Sequence, residues 1–292
     1  MLFRSSVDNQ PLDGARREAL LCLLDDPSPS VRGALQAYFL ALGPAAASLL
    51  QETANGSNRI LAWHARRYLE ELRFTDPVAE FREFIRAQQY DLESGSLLLS
   101  RTVNPQVDTE ACVALLDGLA ARCRELIVEP GTAREKCRVI NRVLFHESGF
   151  RGNVEDYTDP NNSFLDQVLT RRRGIPVSLS IVYLLVARRL GLLLEPVGLP
   201  GHFVVGCFLT GEPFFIDPFE GGTMLSATEV ATSLRARNLH VTESELVPTP
   251  VREVLCRTCR NLANHCRASG DETRSQLFAG FVAEFAATYA RP

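Results

Sequence analysis

The stretch RRRGIPVSLSIVYLLVARRL at residues 171–190, followed by HFVVGCFLTGEPFFIDP at 202–218, decides how this chain folds. Pro176 suits the first turn of a helix, where its missing N–H costs no intrahelical hydrogen bond. From Leu179 to Leu190 apolar residues surround the axis on most sides, and a helix apolar all round belongs in a domain interior. Gly191 ends it. Two short runs, His202 to Leu209 and Pro213 to Ile216, flank Gly211-Glu212 and predict a β-hairpin. His202 opens one strand and Asp217 closes the other, so the hairpin sets them side by side, where a carboxylate can fix the tautomer of an imidazole.

Upstream, residues 147–162 show little periodicity and many Gly, Asn, Asp and Pro, the composition of an ordered loop on a scaffold. Before that loop, Val78 to Gln88, Thr109 to Val128 and Thr132 to His146 read as helices. Between Ala15 and Leu72 the pattern is also helical, cut at Asp25-Asp26-Pro27-Ser28-Pro29, Gly43-Pro44 and Asn55-Gly56-Ser57-Asn58. These short paired helices resemble HEAT repeats, of which about two fit here. Asp76-Pro77 marks a boundary, and Val251 to Ser269 with Asp271 to Tyr289 form a last helical pair. The expected organisation is therefore a helical segment at 1–75, a core at 76–247 and a helical pair at 248–292.

Composition bounds the function classes. The 292 residues are 46% hydrophobic, 8% aromatic and 23% charged, which argues against disordered, collagen-like or coiled-coil proteins. The formal net charge of −4 disfavours a nucleic-acid binder held by bulk positive charge. The apolar run around Ile181 to Ala187 stops at Arg188-Arg189, well short of the ~18 residues of a membrane span. Met1 to Ser6 carries no apolar export segment, and eight scattered cysteines in a protein of this size need no disulfide framework. A cytoplasmic location with reduced thiols is the expectation.

The motifs FRGN (150–153), YTDP (157–160), NNSFL (161–165), VLTRRRGIPVSL (168–179), LPGHF (199–203) and IDPFEGG (216–222) occur in one order. Together they resemble the bacterial SirB-type transglutaminase-like family over residues 77–247. The resemblance implies an α+β fold: a transglutaminase- or papain-like core, with a central helix packed on a short antiparallel sheet, and flanking helical segments. That family often continues into tetratricopeptide-like helices, which Val251 to Tyr289 resembles. Active transglutaminases place Gly-x-Cys at the start of the central helix, where this chain has Gly174-Ile175-Pro176. Proline cannot act as a nucleophile, and no cysteine stands near it in sequence.

The resemblance therefore supports two functions. The first is a non-catalytic binding or adaptor module for a protein or peptide partner, keeping a His202/Asp217 cleft without its thiol. The second is a hydrolase or acyltransferase acting on an amide or peptide. His202 would be its general base and Asp217 the orienter, with Ser178, the nearest hydroxyl, or a water as nucleophile. Asn153, Tyr157 and Asn161 either line the same cleft with Pro176 or satisfy loop backbone groups. Arg171-Arg172-Arg173 offers a guanidinium clamp, Arg173 nearest the cleft, or pairs with Asp159, Asp166 and Glu155. Cys256, Cys259, His265 and Cys266 have the only metal-like spacing, but with no second knuckle the cysteines read as apolar packing residues, and no metal or cofactor is expected.

Overall fold

Turn residues cut the first part of the chain into four short helices, α1 (Gly14–Leu23), α2 (Pro29–Leu42), α3 (Pro44–Ala54) and α4 (Arg59–Glu71). Pro29 and Pro44 stand at helix starts, and the Asn58 side chain accepts the N–H groups of Ile60 and Leu61 at the start of α4, which satisfies two donors a helix leaves free. The apolar stripes meet in a small core of Leu20, Leu24, Leu35, Phe39, Leu50 and Tyr68. Within it the Phe39 and Tyr68 rings pack edge to face at 5.3 Å. A computed structural model describes residues 14–72, 76–209, 211–236, 239 and 242–289. The export reading at Met1 to Ser6 lies outside them. Contacts divide the chain into two units, Met1–Glu80 and Phe81–Pro292.

The second unit is α+β. It takes most of α5 (Pro77–Ala87), then α6 (Leu92–Arg101), α7 (Thr109–Leu126) and α8 (Ala133–Asn141), continued by a π-helical turn at Arg142–Glu147. The starts of α6, α7 and α8 carry their caps: Asp91 accepts the Ser94 N–H, Asp108 that of Ala111, and Thr132 with Glu135 forms a reciprocal box. Two-residue strands β1 (Arg151–Gly152) and β2 (Arg173–Gly174) pair in parallel across the helix α9 (Leu165–Arg171). The central helix α10 (Pro176–Arg189) follows, with Pro176 through Ala187 all buried. At its exposed end Arg189 bonds Glu93 at 2.7 Å and Asp117 at 2.6 Å.

An antiparallel meander packs on α10: β3 (Glu195–Leu199), β4 (His202–Cys207), β5 (Phe214–Asp217) and β6 (Thr223–Ser226), in that spatial order. The sequence predicts only the middle pair. After β6 come α11 (Ala227–Arg235), α12 (Val251–Ala268) and α13 (Glu272–Tyr289). Phe281 and Phe285 of α13 meet Phe81 with centroids at 4.9 and 6.3 Å, so the last helical pair shares the core of the second unit. No single helix among the described residues is long and apolar enough to cross a membrane.

Candidate functional site

The meander's register brings His202 to Asp217. Val205 pairs with Ile216, so one further step sets Asp217 opposite Val204 and on the same sheet face as His202, two residues along. The imidazole spans that diagonal: Nε2 lies 2.6 Å from Asp217 Oδ2, with the residues 8% and 5% exposed. The other carboxylate oxygen accepts the N–H groups of Phe219 at 3.1 Å and Glu220 at 3.2 Å. The turn that supplies those donors closes with the Gly222 N–H on the Asp217 carbonyl, 2.8 Å away. A carboxylate only accepts, so Nε2 carries the proton and Nδ1 is the acceptor of the neutral ring. Among the described residues nothing bonds Nδ1.

Aromatic rings brace the imidazole. Phe219 meets His202 edge to face at 6.4 Å, and Tyr157 meets Phe219 at 6.0 Å. Phe219 lies so close over Gly152 that a β-carbon there would stand 2.6 Å from the ring, so the short strand β1 has to offer bare backbone. Beside His202 opens a cleft of about 80 Å³, room for several waters. Tyr157, Pro176 and His202, all singled out in the sequence, line it with Val177, Gly201, Phe203, Arg257 and Asn261.

Other expected site residues stand elsewhere. Ser178 is not a cleft residue: its Oγ accepts the Ile175 N–H at 3.0 Å and donates to the Asn162 carbonyl at 2.5 Å. It caps α10 from inside, 2% exposed, and lines a separate narrow void with Ser96 and Thr258. The hydroxyl read from sequence as a candidate nucleophile is thus engaged by two backbone groups of the helix start and the preceding loop. Asn153 is buried and organises the loop, its amide donating to Asn162 Oδ1 at 2.9 Å. Asn161 is exposed, its N–H taken by Asp159. Arg173 reaches Glu155 at 3.4 Å, Arg171 bonds Asp159 at 2.6 Å and Arg172 donates to the Ser148 carbonyl, so the arginine run spends its charge locally. None of these side chains lines the cleft.

Two polar cleft residues escaped the sequence reading. Arg257 and Asn261 share one face of α12, four residues apart. Arg257 Nη2 donates to the carbonyls of Leu199 at 2.7 Å and His202 at 2.8 Å, and its guanidinium lies 5.5 Å from the Phe203 ring centre. Burial holds its pKa below the ordinary arginine value. On the same helix His265, 8% exposed, meets the Tyr157 ring at 5.9 Å. Cys256, Cys259 and Cys266 are buried, with burial pushing each thiol's pKa up. No group of three or more metal-ligating side chains converges among the described residues.

Comparison with known proteins adds kinship to this geometry. Residues 110–260 match the family model described as the transglutaminase-like superfamily. A UPF0162 protein of Xylella fastidiosa is 36% identical over 177 residues, covering 59% of this chain and 63% of that protein. A UPF0162 protein of Vibrio cholerae is 33% identical over 132 residues, 45% of this chain and 49% of that one. F-box only protein 21 of Homo sapiens is 28% identical over 266 residues, 79% of this chain and 42% of the human protein. The chain thus spans less than two thirds of the length of these relatives. No solved structure matches it.

Proposed function

Because the chain belongs to the transglutaminase-like superfamily, we propose that its His202/Asp217 cleft receives a protein or peptide segment and binds it without turnover. One observation carries this reading: among the described residues no Ser, Thr or Cys side chain lines the cleft. Pro176 occupies the place where the resemblance puts the thiol, and the nearest hydroxyl, Ser178, is held inside the helix cap. Acyl transfer through a covalent intermediate needs a side-chain nucleophile beside the base. An imidazole oriented by a buried carboxylate still offers a fixed polar contact to a peptide group.

The six ordered motifs favour the SirB-type branch, and the short N-terminal helices and the C-terminal helical pair favour HEAT-like and tetratricopeptide-like pieces that present partner surfaces. The net charge of −4 favours protein over nucleic acid as partner. The seven buried thiols fit a reducing compartment such as the cytoplasm.

A second reading rests on the cleft's volume. About 80 Å³ beside His202 admits a water, and an imidazole held by Asp217 could take its proton during attack on an amide carbonyl, making the protein a hydrolase. The test is incubation of the full-length protein with degenerate peptide pools, read by mass spectrometry of retained and released peptides. Binding without turnover gives retained peptides of unchanged mass, with retention lost in His202→Ala. Cleaved or transferred products that disappear in His202→Ala would overturn it in favour of the hydrolase.

A further inference from the structure

We infer that Arg257 makes the cleft a carboxylate site, so that the bound segment is recognised through its free C-terminal carboxylate or an Asp or Glu side chain; this rests on the binding reading above. Several arginines of the second unit are matched by carboxylates: Arg171 with Asp159, Arg173 with Glu155, Arg189 with Glu93 and Asp117. Arg257 forms no ion pair with any carboxylate among the described residues. Asp217, the acid of the cleft, is already engaged by His202 and two backbone N–H groups.

The inventory of donors leads to the same place. The two Nη2 hydrogens serve the Leu199 and His202 carbonyls. The Nε and Nη1 hydrogens, three of the five donors of a guanidinium, have no acceptor among the described residues. Asn261, four residues on, adds an amide that is likewise unbonded there and lines the same cleft. Taking a cation out of water is costly unless an anion or hydrogen-bond acceptors meet it. Neutral carbonyls meet part of that need, and an incoming carboxylate would complete it with charge-assisted bonds. The cleft's ~80 Å³ accommodates such a group with its adjoining carbon. A partner's carboxylate would then sit beside His202, next to the residue that occupies the nucleophile's place.

Selection of an anion runs against the protein's net charge of −4, so a preference for acidic peptides would not arise from bulk attraction. Three pools of N-acetylated hexapeptides would be passed over the immobilised full-length protein. One has free C-termini and no Asp or Glu, one is amidated without Asp or Glu, and one is amidated with them. The expected result is about tenfold more retention of the first or third pool than of the second, the size of a charged hydrogen bond. The first identifies a terminal carboxylate and the third a side chain. Arg257→Gln should lower that retention to the level of the second pool. Because Arg257 also pins the β3–β4 turn, acetate against acetamide at matched ionic strength gives a parallel readout on the unaltered protein, and only acetate should displace the favoured pool. Equal retention of all three pools overturns the carboxylate site and leaves the binding reading standing. A preference that survives in folded Arg257→Gln overturns the role of Arg257, and retention of no pool overturns the binding reading itself.

Discussion

Ser178 ties the start of the central helix to the loop before it, its Oγ donating to the Asn162 carbonyl at 2.5 Å. The same oxygen receives the Ile175 N–H at 3.0 Å, and the residue is 2% exposed. Ser178→Ala strands a buried donor and a buried acceptor, each costly to leave unpaired, so the protein should lose about 1–3 kcal/mol. Peptide retention by the folded variant should stay at the wild-type level. Urea unfolding and the peptide-retention assay check both halves. Loss of retention at unchanged stability would place Ser178 in the binding site.

The turn after Asp217 contains two glycines that differ in what they tolerate. Both have positive φ, 65° at Gly221 and 80° at Gly222, where an added β-carbon costs about 1–2 kcal/mol. At Gly221 that carbon meets nothing within 4 Å, whereas at Gly222 it stands 2.5 Å from the Asn141 side chain. Asn141 cannot simply withdraw, since its amide donates to the Gly222 carbonyl at 2.6 Å and its oxygen receives the Tyr183 hydroxyl at 3.0 Å. Gly222→Ala should therefore destabilise clearly more than Gly221→Ala in urea titrations. Equal losses would show that backbone conformation alone governs the turn.

What could be read from sequence follows from how each element is stabilised. The central helix is legible because burial on all sides leaves an uninterrupted apolar run behind Pro176. The His202–Asp217 pair is legible because a hairpin is local. The strand Glu195–Leu199 hides behind Pro196 and Gly198, which depress strand propensity, and Thr223–Ser226 is a half-exposed edge without a clean alternation. Helix Leu92–Arg101 carries Ser94, Ser96, Gly95 and Ser100, poor helix formers, so packing of its buried face decides its state. The parallel pairing of Arg151–Gly152 with Arg173–Gly174 leaves no pattern in two-residue strands. Arg257 lies 55 residues beyond His202, and only the tertiary fold brings its guanidinium to the cleft.

Thiol reactivity should separate sharply. Cys22 is exposed, whereas the other seven cysteines are buried. Burial pushes the pKa of Cys123 and of Cys137 up to about 11, which removes the thiolate that attacks a disulfide reagent. At pH 8 the native protein should release one equivalent of thiol quickly on treatment with an aromatic disulfide, and all eight after denaturation. Cys22→Ser should abolish the fast phase. A fast phase of several equivalents would mean that the buried thiols open to solvent readily.

His265 should make the protein's stability depend on pH in a window above that of the carboxylates. Its ring is 8% exposed, Nδ1 has no partner among the described residues, and burial holds its pKa below the ordinary 6.5, opposed in part by the charge of Asp159. The folded state therefore favours the neutral ring, and the unfolded state binds the extra proton once pH falls below about 6.5. The contribution is complete above that pH and is lost progressively as pH falls toward the folded-state value. The lowered pKa values of Glu135 and Glu147 act further down, below their ordinary 4.5, so the interval between pH 7 and 5.5 lies clear of those carboxylates, and the His265 variant picks out this ring's share. Unfolding free energy in urea should decline across that interval in the wild type and decline less in His265→Phe, which keeps the ring packed against Tyr157 while removing the titrating group. Identical slopes in the two proteins would place the pH dependence elsewhere.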